Sequence, residues 1–121
     1  MSQLVELERL VEVAAGFGTV PMLLTVDPDG RPRAAAAAVS WDGVHAIVSA
    51  GRKSLRNAAE RPLVGLLWPA PPGGRFALLV DGEAVTTERL DPADERAGGT
   101  VYLRATSGIL HAVQSAKRSG K

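Results

Sequence analysis

Two cations and a hydroxyl follow one another at Arg52, Lys53 and Ser54, between an apolar run that ends near Ser49 and a short helix-like segment. The first turn of a helix leaves backbone N–H groups unpaired and carries a partial positive charge. Guanidinium, ammonium and hydroxyl groups at such a place are typical of phosphate binding. The segment therefore indicates a phosphate cradle. The alternative is an ordinary capped surface helix with solvated basic residues.

Few other residues could do chemistry by themselves. The chain has no cysteine, which excludes disulfides, thiolate nucleophiles and Cys-based metal sites. Its two histidines, His45 and His111, are far apart and lack the spacing of metal ligands. The segment from Ser107 to His111 lacks the Gly-X-Ser-X-Gly context of a hydrolase nucleophile. We therefore assign no catalytic residue and predict no dependence on divalent metals.

Composition and charge narrow the class of protein. With 121 residues and an ordinary apolar fraction, the chain is predicted to form a single domain over residues 1–121. The net charge is only +1 and no basic stripe is interleaved with aromatics, which disfavours nucleic-acid binding. No apolar run approaches the ~18 residues of a membrane span, and residues 1–15 do not resemble a signal peptide. We expect a cytoplasmic protein with no nucleic-acid or membrane partner.

The elements around the cradle are mostly strands. Helical spacing of apolar residues predicts an N-terminal helix over residues 1–15, and residues 115–121 are expected to be a flexible tail. Turn signals separate six predicted strands, at 19–26, 31–41, 44–50, 63–68, 76–88 and 100–105. The fifth is interrupted at Asp81 and Gly82, which indicates a bulge. Short helices are predicted over 53–60 and 91–96, and residues 108–114 fit a strand or a terminal helix.

The alanine-rich run at residues 31–41 is ambiguous by propensity alone. Alanine favours helix, but a tight turn precedes the run and Asp42-Gly43, a hairpin signal, follows it. We interpret it as a strand whose small side chains leave a shallow wall for a flat ring or a partner chain. The alternative is a strand packed tightly beneath a helix. The whole pattern predicts a mainly β protein with short helices (α+β), a small antiparallel barrel.

The order of motifs resembles the flavin-binding split-barrel family, the pyridoxamine 5'-phosphate oxidase-like proteins and their deazaflavin-using relatives. The resemblance runs from about Gly18 to Thr86. It rests on five pieces in this order: Asp29-Gly-Arg-Pro-Arg33, Val39-Ser-Trp-Asp-Gly43, the segment from Ser49 to Asn57, Pro62 leading into a strand, and Val80-Asp-Gly-Glu-Ala84. No single piece is specific, and their combination carries the resemblance.

The resemblance implies a homodimer of six-stranded antiparallel split β-barrels, with cofactor sites shared across the interface. The cofactor would be FMN or, as in some branches, the deazaflavin coenzyme F-420, and it would act on a small organic substrate. Its phosphate would lie near the segment from Ser49 to Asn57 and its ring along the strands beside it. The residues that this implies for cofactor binding are Arg52, Lys53, Ser54, Ser49, Asn57, Ala38 and Ser40.

The chain also departs from the family pattern. The oxidase itself carries a phosphate-binding Arg and Lys on its second strand, and those positions fall near Ala35 and Ser40 here. In many deazaflavin-using relatives a lysine stands three residues before the asparagine that matches Asn57, where this chain has Ser54. These differences argue against pyridoxamine 5'-phosphate as the substrate. They leave open a non-enzymatic split-barrel protein that binds flavin, a haem-like tetrapyrrole or nothing.

Overall fold

A computed structural model describes residues 2–114, which form one eight-stranded sheet, two short α-helices and a 3₁₀ turn. In chain order the elements are β1 (Ser2–Val5), the 3₁₀ turn (Leu7–Arg9), α1 (Leu10–Ala15), β2 (Met22–Val26), β3 (Pro32–Ala36), β4 (Val39–Asp42), β5 (His45–Ala50), α2 (Arg52–Glu60), β6 (Leu63–Trp68), β7 (Phe76–Arg89) and β8 (Gly99–Ala112). The predicted mainly β, α+β class is confirmed.

The sheet curls into a split barrel because its two edge strands are neighbours in the chain. Its order is β3-β2-β6-β7-β8-β5-β4, and every pairing is antiparallel. Only Ala37 and Ala38 separate β3 from β4, so the opposite edges must meet. The Ala37 amide donates to the Pro21 carbonyl at 3.0 Å, and the Ser49 amide donates to the Ala38 carbonyl at 3.0 Å. The connection therefore hydrogen-bonds both to the residue before β2 and to β5, so it joins the two edges of the sheet.

The alanine-rich run is extended, as predicted, and it is not covered by a helix. All five residues of β3 are exposed. The predicted bulge is also confirmed, since the register of β7 against β8 shifts between Asp81 and Gly82. A Cβ on Gly82 would collide with the Leu103 side chain. Glycine is therefore required where the strand bends.

Three sequence expectations differ from the structure, and one open alternative is decided by it. The predicted helix over 1–15 is shorter, because Ser2–Val5 pairs with residues 108–111 of β8 instead. The predicted helix over 91–96 is a pair of side-chain-bonded turns, in which the Ala93 amide donates to Asp91 and the Arg96 amide donates to Asp94. Residues 108–112 continue β8, which is one long strand through Ala112. The sheet has eight strands rather than six, because β1 is added and the single strand predicted at 31–41 is divided into β3 and β4 at Ala37 and Ala38. The predicted tail at 115–121 lies outside the described residues.

The barrel interior holds the apolar core. Leu10 and Ala14 of α1 join the inward-facing residues of the strands, among them Leu23, Leu66 and Leu103, all essentially buried. Trp68 is 1% exposed, donates its indole N–H to the Gly18 carbonyl at 2.9 Å, and stacks on Trp41 with ring centroids 6.5 Å apart. As expected for a chain with few aromatics, these rings anchor the core.

Candidate functional site

Helix α2 begins without a side-chain cap. Its N-cap residue is Gly51, which has extended backbone and no side-chain oxygen, and no capping hydrogen bond from a side chain is made there. The first intrahelical bond runs from the Leu55 amide to the Gly51 carbonyl at 2.9 Å. The amides of Arg52, Lys53 and Ser54 therefore form the open N-terminal end of a nine-residue helix.

The two predicted cations point to different neighbours. Arg52 and Lys53 are both exposed, and neither makes an ion pair within 4.0 Å in the described part of the chain. Arg52 lines a cleft on the side of α2 that faces the end of β7, together with Arg56. The charge of Lys53 acts on Asp27, at the end of β2. The open helix end is thus flanked by one cation on each side.

Ser54 and Asn57 lie on the buried face of α2. Ser54 is 8% exposed and Asn57 only 1%. The Asn57 side-chain amide donates to Thr25 Oγ1 at 3.2 Å and to Asp27 Oδ1 at 2.9 Å. Asp27 also forms an ion pair with Arg33 of β3. We call Thr25, Asp27, Arg33 and Asn57 the Asp27 clasp, because they fasten α2 to the β2–β3 hairpin.

The clasp stabilises the charged form of its carboxylate. The hydrogen bond from Asn57, followed by that from Arg33, lowers the pKa of Asp27 below its ordinary value. The same ion pair raises the pKa of Arg33. Both groups are therefore charged throughout the neutral range and neutralise each other locally.

The remaining predicted residues share one exposed surface beside the helix start. Ala38, Ser40 and Ser49 are all exposed, whereas their strand neighbours Val39 and Val48 point into the core. The Ser49 amide donates to the Ala38 carbonyl, so the two residues are adjacent across β4 and β5. Ser49 stands three residues before Arg52. The fold therefore brings small side chains, two hydroxyls and the open helix end together.

A second surface lies on the outside of β2, β3, β6 and β7. It is a groove of about 720 Å³ with largely apolar walls. Its floor includes Leu24, Ala34, Gly65 and Leu79, and Leu63 at its side is 77% exposed. We call it the apolar groove. Surfaces of this kind on small proteins are typical of protein or ligand contacts.

Sequence reasoning missed the clasp and the other side of the cleft. Asp27 begins the turn before the alanine-rich run, and Arg33 ends the motif Asp29-Gly-Arg-Pro-Arg33. Neither pattern predicted that the two residues form an ion pair. An available signal was Asn57 itself, since asparagine inside a helix is unfavourable unless its side chain has a partner. Arg89 and Arg96, which line the cleft with Arg52, gave no local signal because the loop between them was predicted to be helical.

Comparison with solved structures identifies the fold. The chain is similar to an F420 reductase at 22% identity and a TM-score of 0.60, over 74% of this chain and 88% of that one. A candidate pyridoxamine 5'-phosphate oxidase from Listeria innocua has 18% identity and a TM-score of 0.64, over 87% and 98%. HutZ, a heme storage protein of Vibrio cholerae, has 18% identity and a TM-score of 0.62, over 87% and 94%.

These similarities show that the chain has the pyridoxamine 5'-phosphate oxidase-like split-barrel fold, as the sequence motifs predicted. Neither the family models nor the curated proteins give a match to the sequence. Within residues 2–114, no three His, Asp or Glu side chains are grouped so that they could hold a metal ion. No helix in that range has the length and apolar character that crossing a bilayer requires.

Proposed function

We propose that this protein is a cytoplasmic oxidoreductase that binds FMN, or alternatively the deazaflavin coenzyme F-420, and acts on a small organic substrate. The observation that carries the proposal is the uncapped start of α2, flanked by Arg52 and Lys53 and adjacent to the exposed small residues. An anion that accepts hydrogen bonds from the unpaired backbone amides would satisfy the first turn of the helix. The residues present therefore fit the phosphate of such a cofactor.

In this proposal the chain binds and orients, and the cofactor supplies hydride transfer. Arg52, Lys53 and the amide of Ser54 hold the phosphate. Ala38, Ser40 and Ser49 offer small side chains that leave room for a flat ring close to the backbone. Asn57 does not reach outward, because its side chain is buried in the Asp27 clasp. Its role is to hold α2 in position.

The test compares FMN with riboflavin, which differ only by the phosphate. Charge-assisted hydrogen bonds are worth ~1.5–3 kcal/mol each, so Arg52→Ala with Lys53→Ala should weaken FMN by at least roughly ten- to a hundred-fold. Riboflavin should hardly change. The helix end contributes less, ~0.3–1 kcal/mol when exposed, so the side chains should dominate. Fluorescence quenching of each flavin on titration with protein gives both dissociation constants.

A matched control removes the same charge elsewhere. Arg9 and Arg31 are exposed arginines on other elements, and Arg9→Ala with Arg31→Ala also lowers the net charge by two. We expect this variant to bind FMN like the parent. Equal weakening of FMN and riboflavin by the α2 variant would assign the pair to the fold or to the ring. If the affinity for neither flavin changes, the phosphate cradle is wrong, and Arg52 and Lys53 are solvated surface residues of the helix.

The proposed assembly is a homodimer formed through the apolar groove. The exposed Leu63 and the exposed alanines of β3 favour a second protein surface over water. Leu63→Glu should therefore give a monomer in light scattering at micromolar concentration. Leu4→Glu is the control, because Leu4 is 76% exposed, as Leu63 is at 77%, but lies on β1. A parent protein that is monomeric at that concentration would overturn the dimer and the shared site.

A second candidate function is binding without catalysis. It is favoured by the absence of cations at Ala35 and Ser40, and by the similarity in fold to the Vibrio cholerae heme storage protein. The absorption spectrum of the purified protein separates the oxidoreductase from the haem-binding form of this second candidate. Flavin bands, or saturable binding of added FMN or F-420, support the oxidoreductase. A Soret band after addition of haem, without flavin binding, supports the second candidate.

A further inference from the structure

A cleft of about 560 Å³ lies between α2 and the end of β7, and four arginines line it. Arg52 and Arg56 come from one face of α2, Arg89 ends β7, and Arg96 belongs to the following loop. Glu60 and Glu95 also line the cleft, which leaves an excess of two positive charges. We call this space the arginine cleft.

The four guanidinium groups form no close ion pair with Glu60 or Glu95, which line the same cleft. Among residues 2–114 the ion pairs within 4.0 Å involve Arg9, Arg31, Arg33 and Arg104, and none involves an arginine of the cleft. Arg89 has one weak contact at 3.4 Å, to the Pro92 carbonyl. Like charges four residues apart on a helix, as at Arg52 and Arg56, repel each other. A bound anion would relieve that repulsion.

The two walls of the cleft are held together by close backbone packing. A Cβ on Gly98 would collide with the carbonyl oxygen of Ala50, just before α2, so the loop that carries Arg96 lies directly against the helix start. The Leu90 amide donates to the Gly98 carbonyl at 2.9 Å, which closes the loop upon itself. On the opposite side, the Asp27 clasp holds α2. The cleft is therefore largely preorganised, which lowers the entropic cost of binding.

We propose that the arginine cleft binds a diphosphate group, either free or as part of a nucleotide. Guanidinium groups bind phosphoryl oxygens with two parallel hydrogen bonds, and diphosphate offers oxygens to both walls. Its several negative charges match the excess of positive charge. The volume falls within the range of about 300–1,000 Å³ of small-molecule sites. Glu60 and Glu95 restrict how an anion can enter, and they can accept hydrogen bonds from hydroxyl groups of an attached sugar.

This site shares Arg52 with the proposed flavin site and differs from it in its other residues. The experiment therefore uses Arg56 and Arg89, which have no part in the flavin proposal. Isothermal titration with inorganic pyrophosphate should show saturable binding to the parent protein, tighter than that of orthophosphate. Arg56→Ala and Arg89→Ala should each weaken pyrophosphate by roughly ten- to a hundred-fold. Arg56→Lys should recover only part of the lost affinity, because lysine keeps the charge but cannot form the two parallel hydrogen bonds of a guanidinium.

Lys53→Ala is the control, since Lys53 does not line the cleft, and it should leave pyrophosphate binding unchanged. Titration with ADP decides the source of the group: tighter binding than pyrophosphate indicates a nucleotide, and equal or weaker binding indicates the free anion. No binding of either ligand, equal affinity for orthophosphate, or equal losses in Lys53→Ala would overturn the site. Arg56→Ala and Arg89→Ala should also keep the parent ratio of FMN to riboflavin affinity, so that either proposal can fail alone.

Discussion

The charged residues on the two sides of α2 differ in whether they are paired. On one side, Asp27 accepts hydrogen bonds from the Asn57 side-chain N–H and from Arg33, so its carboxylate is paired with two donors, although the buried Asn57 Oδ1 has no partner among the described residues. On the other side, four arginines share a cleft with two glutamates and form no ion pair among the described residues. The same helix therefore has a hydrogen-bonded, ion-paired carboxylate on one side and unpaired cations on the other.

The difference separates residues that hold the fold from residues that are available to a ligand. Polar groups that are buried and mutually bonded are costly to remove, because their partners are then left unsatisfied. Exposed cations without partners contribute little to stability and can weaken it. Substitutions on the clasp should therefore change the free energy of unfolding, whereas substitutions in the arginine cleft should change binding.

The largest effect is expected at the buried member of the clasp. Asn57→Asp keeps the size of the side chain but replaces the donor amide with a second carboxylate that faces Asp27. The loss of unfolding free energy should be on the order of 3 kcal/mol, because a buried charge is left without a partner. Urea denaturation at neutral pH measures it.

Lys53→Ala, four residues earlier on the exposed surface, is the control and should stay within about 0.5 kcal/mol. Equal stability of Asn57→Asp and the parent would show that the clasp does not fasten α2 to the hairpin.

A smaller loss is expected where the loop packs against the helix start. Gly98→Ala places a Cβ against the Ala50 carbonyl and should cost about 1–3 kcal/mol, as overpacking does. It should also weaken pyrophosphate without removing an arginine, because it displaces one wall of the cleft. Gly51→Ala is the matched control: its Cβ would meet no atom within 4 Å and its φ is −71°. Equal stability of the two variants in urea would contradict a tightly packed loop.

The loss of stability at acid pH should report on the half-buried carboxylate of the clasp, Asp27. Folding lowers the pKa of Asp27 below its ordinary value of 3.8, so the unfolded chain takes up the proton first as the pH falls. The stability that this carboxylate provides is complete above that value and is lost at lower pH. Asp27→Asn should be less stable than the parent at neutral pH, and the difference should shrink below about pH 4. A difference that stays constant down to pH about 2 would exclude this linkage.

The parts of the fold that local sequence determines were predictable. β6 was predicted because an apolar run starts directly after Pro62, and the end of the helix predicted over 53–60 because Pro62 follows it closely. The bulge at Asp81 was predictable because an Asp-Gly pair interrupts an otherwise continuous strand. β1 was not, because Leu4 and Leu7 fit a helical period and the strand exists only through pairing with residues about a hundred positions later. Long-range pairing leaves no local signal.

The candidate site divides in the same way. The basic segment at Arg52 and its helix start could be recognised because all the residues are consecutive. The clasp and the cleft could not, since Asn57 meets Asp27 30 residues away and Arg56 shares its cleft with Arg89 of another strand. The resemblance to the split-barrel family supplied the topology, but the family positions at Ala35 and Ser40 carry no cation here.

The smallest expected effect is a gain in the free energy of unfolding when Arg52 loses its charge. Arg52 stands at the positive end of the α2 dipole and four residues before Arg56, and it forms no ion pair among the described residues. Arg52→Gln should therefore raise the unfolding free energy by about 0.5 kcal/mol, through relief of both repulsions. The gain should diminish in high salt, because the charges involved are exposed.

The same substitution at Arg104 should have the opposite sign. Arg104 donates to Glu83 at 2.9 Å across β7 and β8, so Arg104→Gln should cost up to about 1 kcal/mol. Urea denaturation of both variants at low and high salt measures the two values side by side. If Arg52→Gln instead destabilises the protein as Arg104→Gln does, then Arg52 is already satisfied within the fold. The contrast between paired and unpaired charges on the two sides of α2 would then not hold for Arg52, which belongs to both proposed sites.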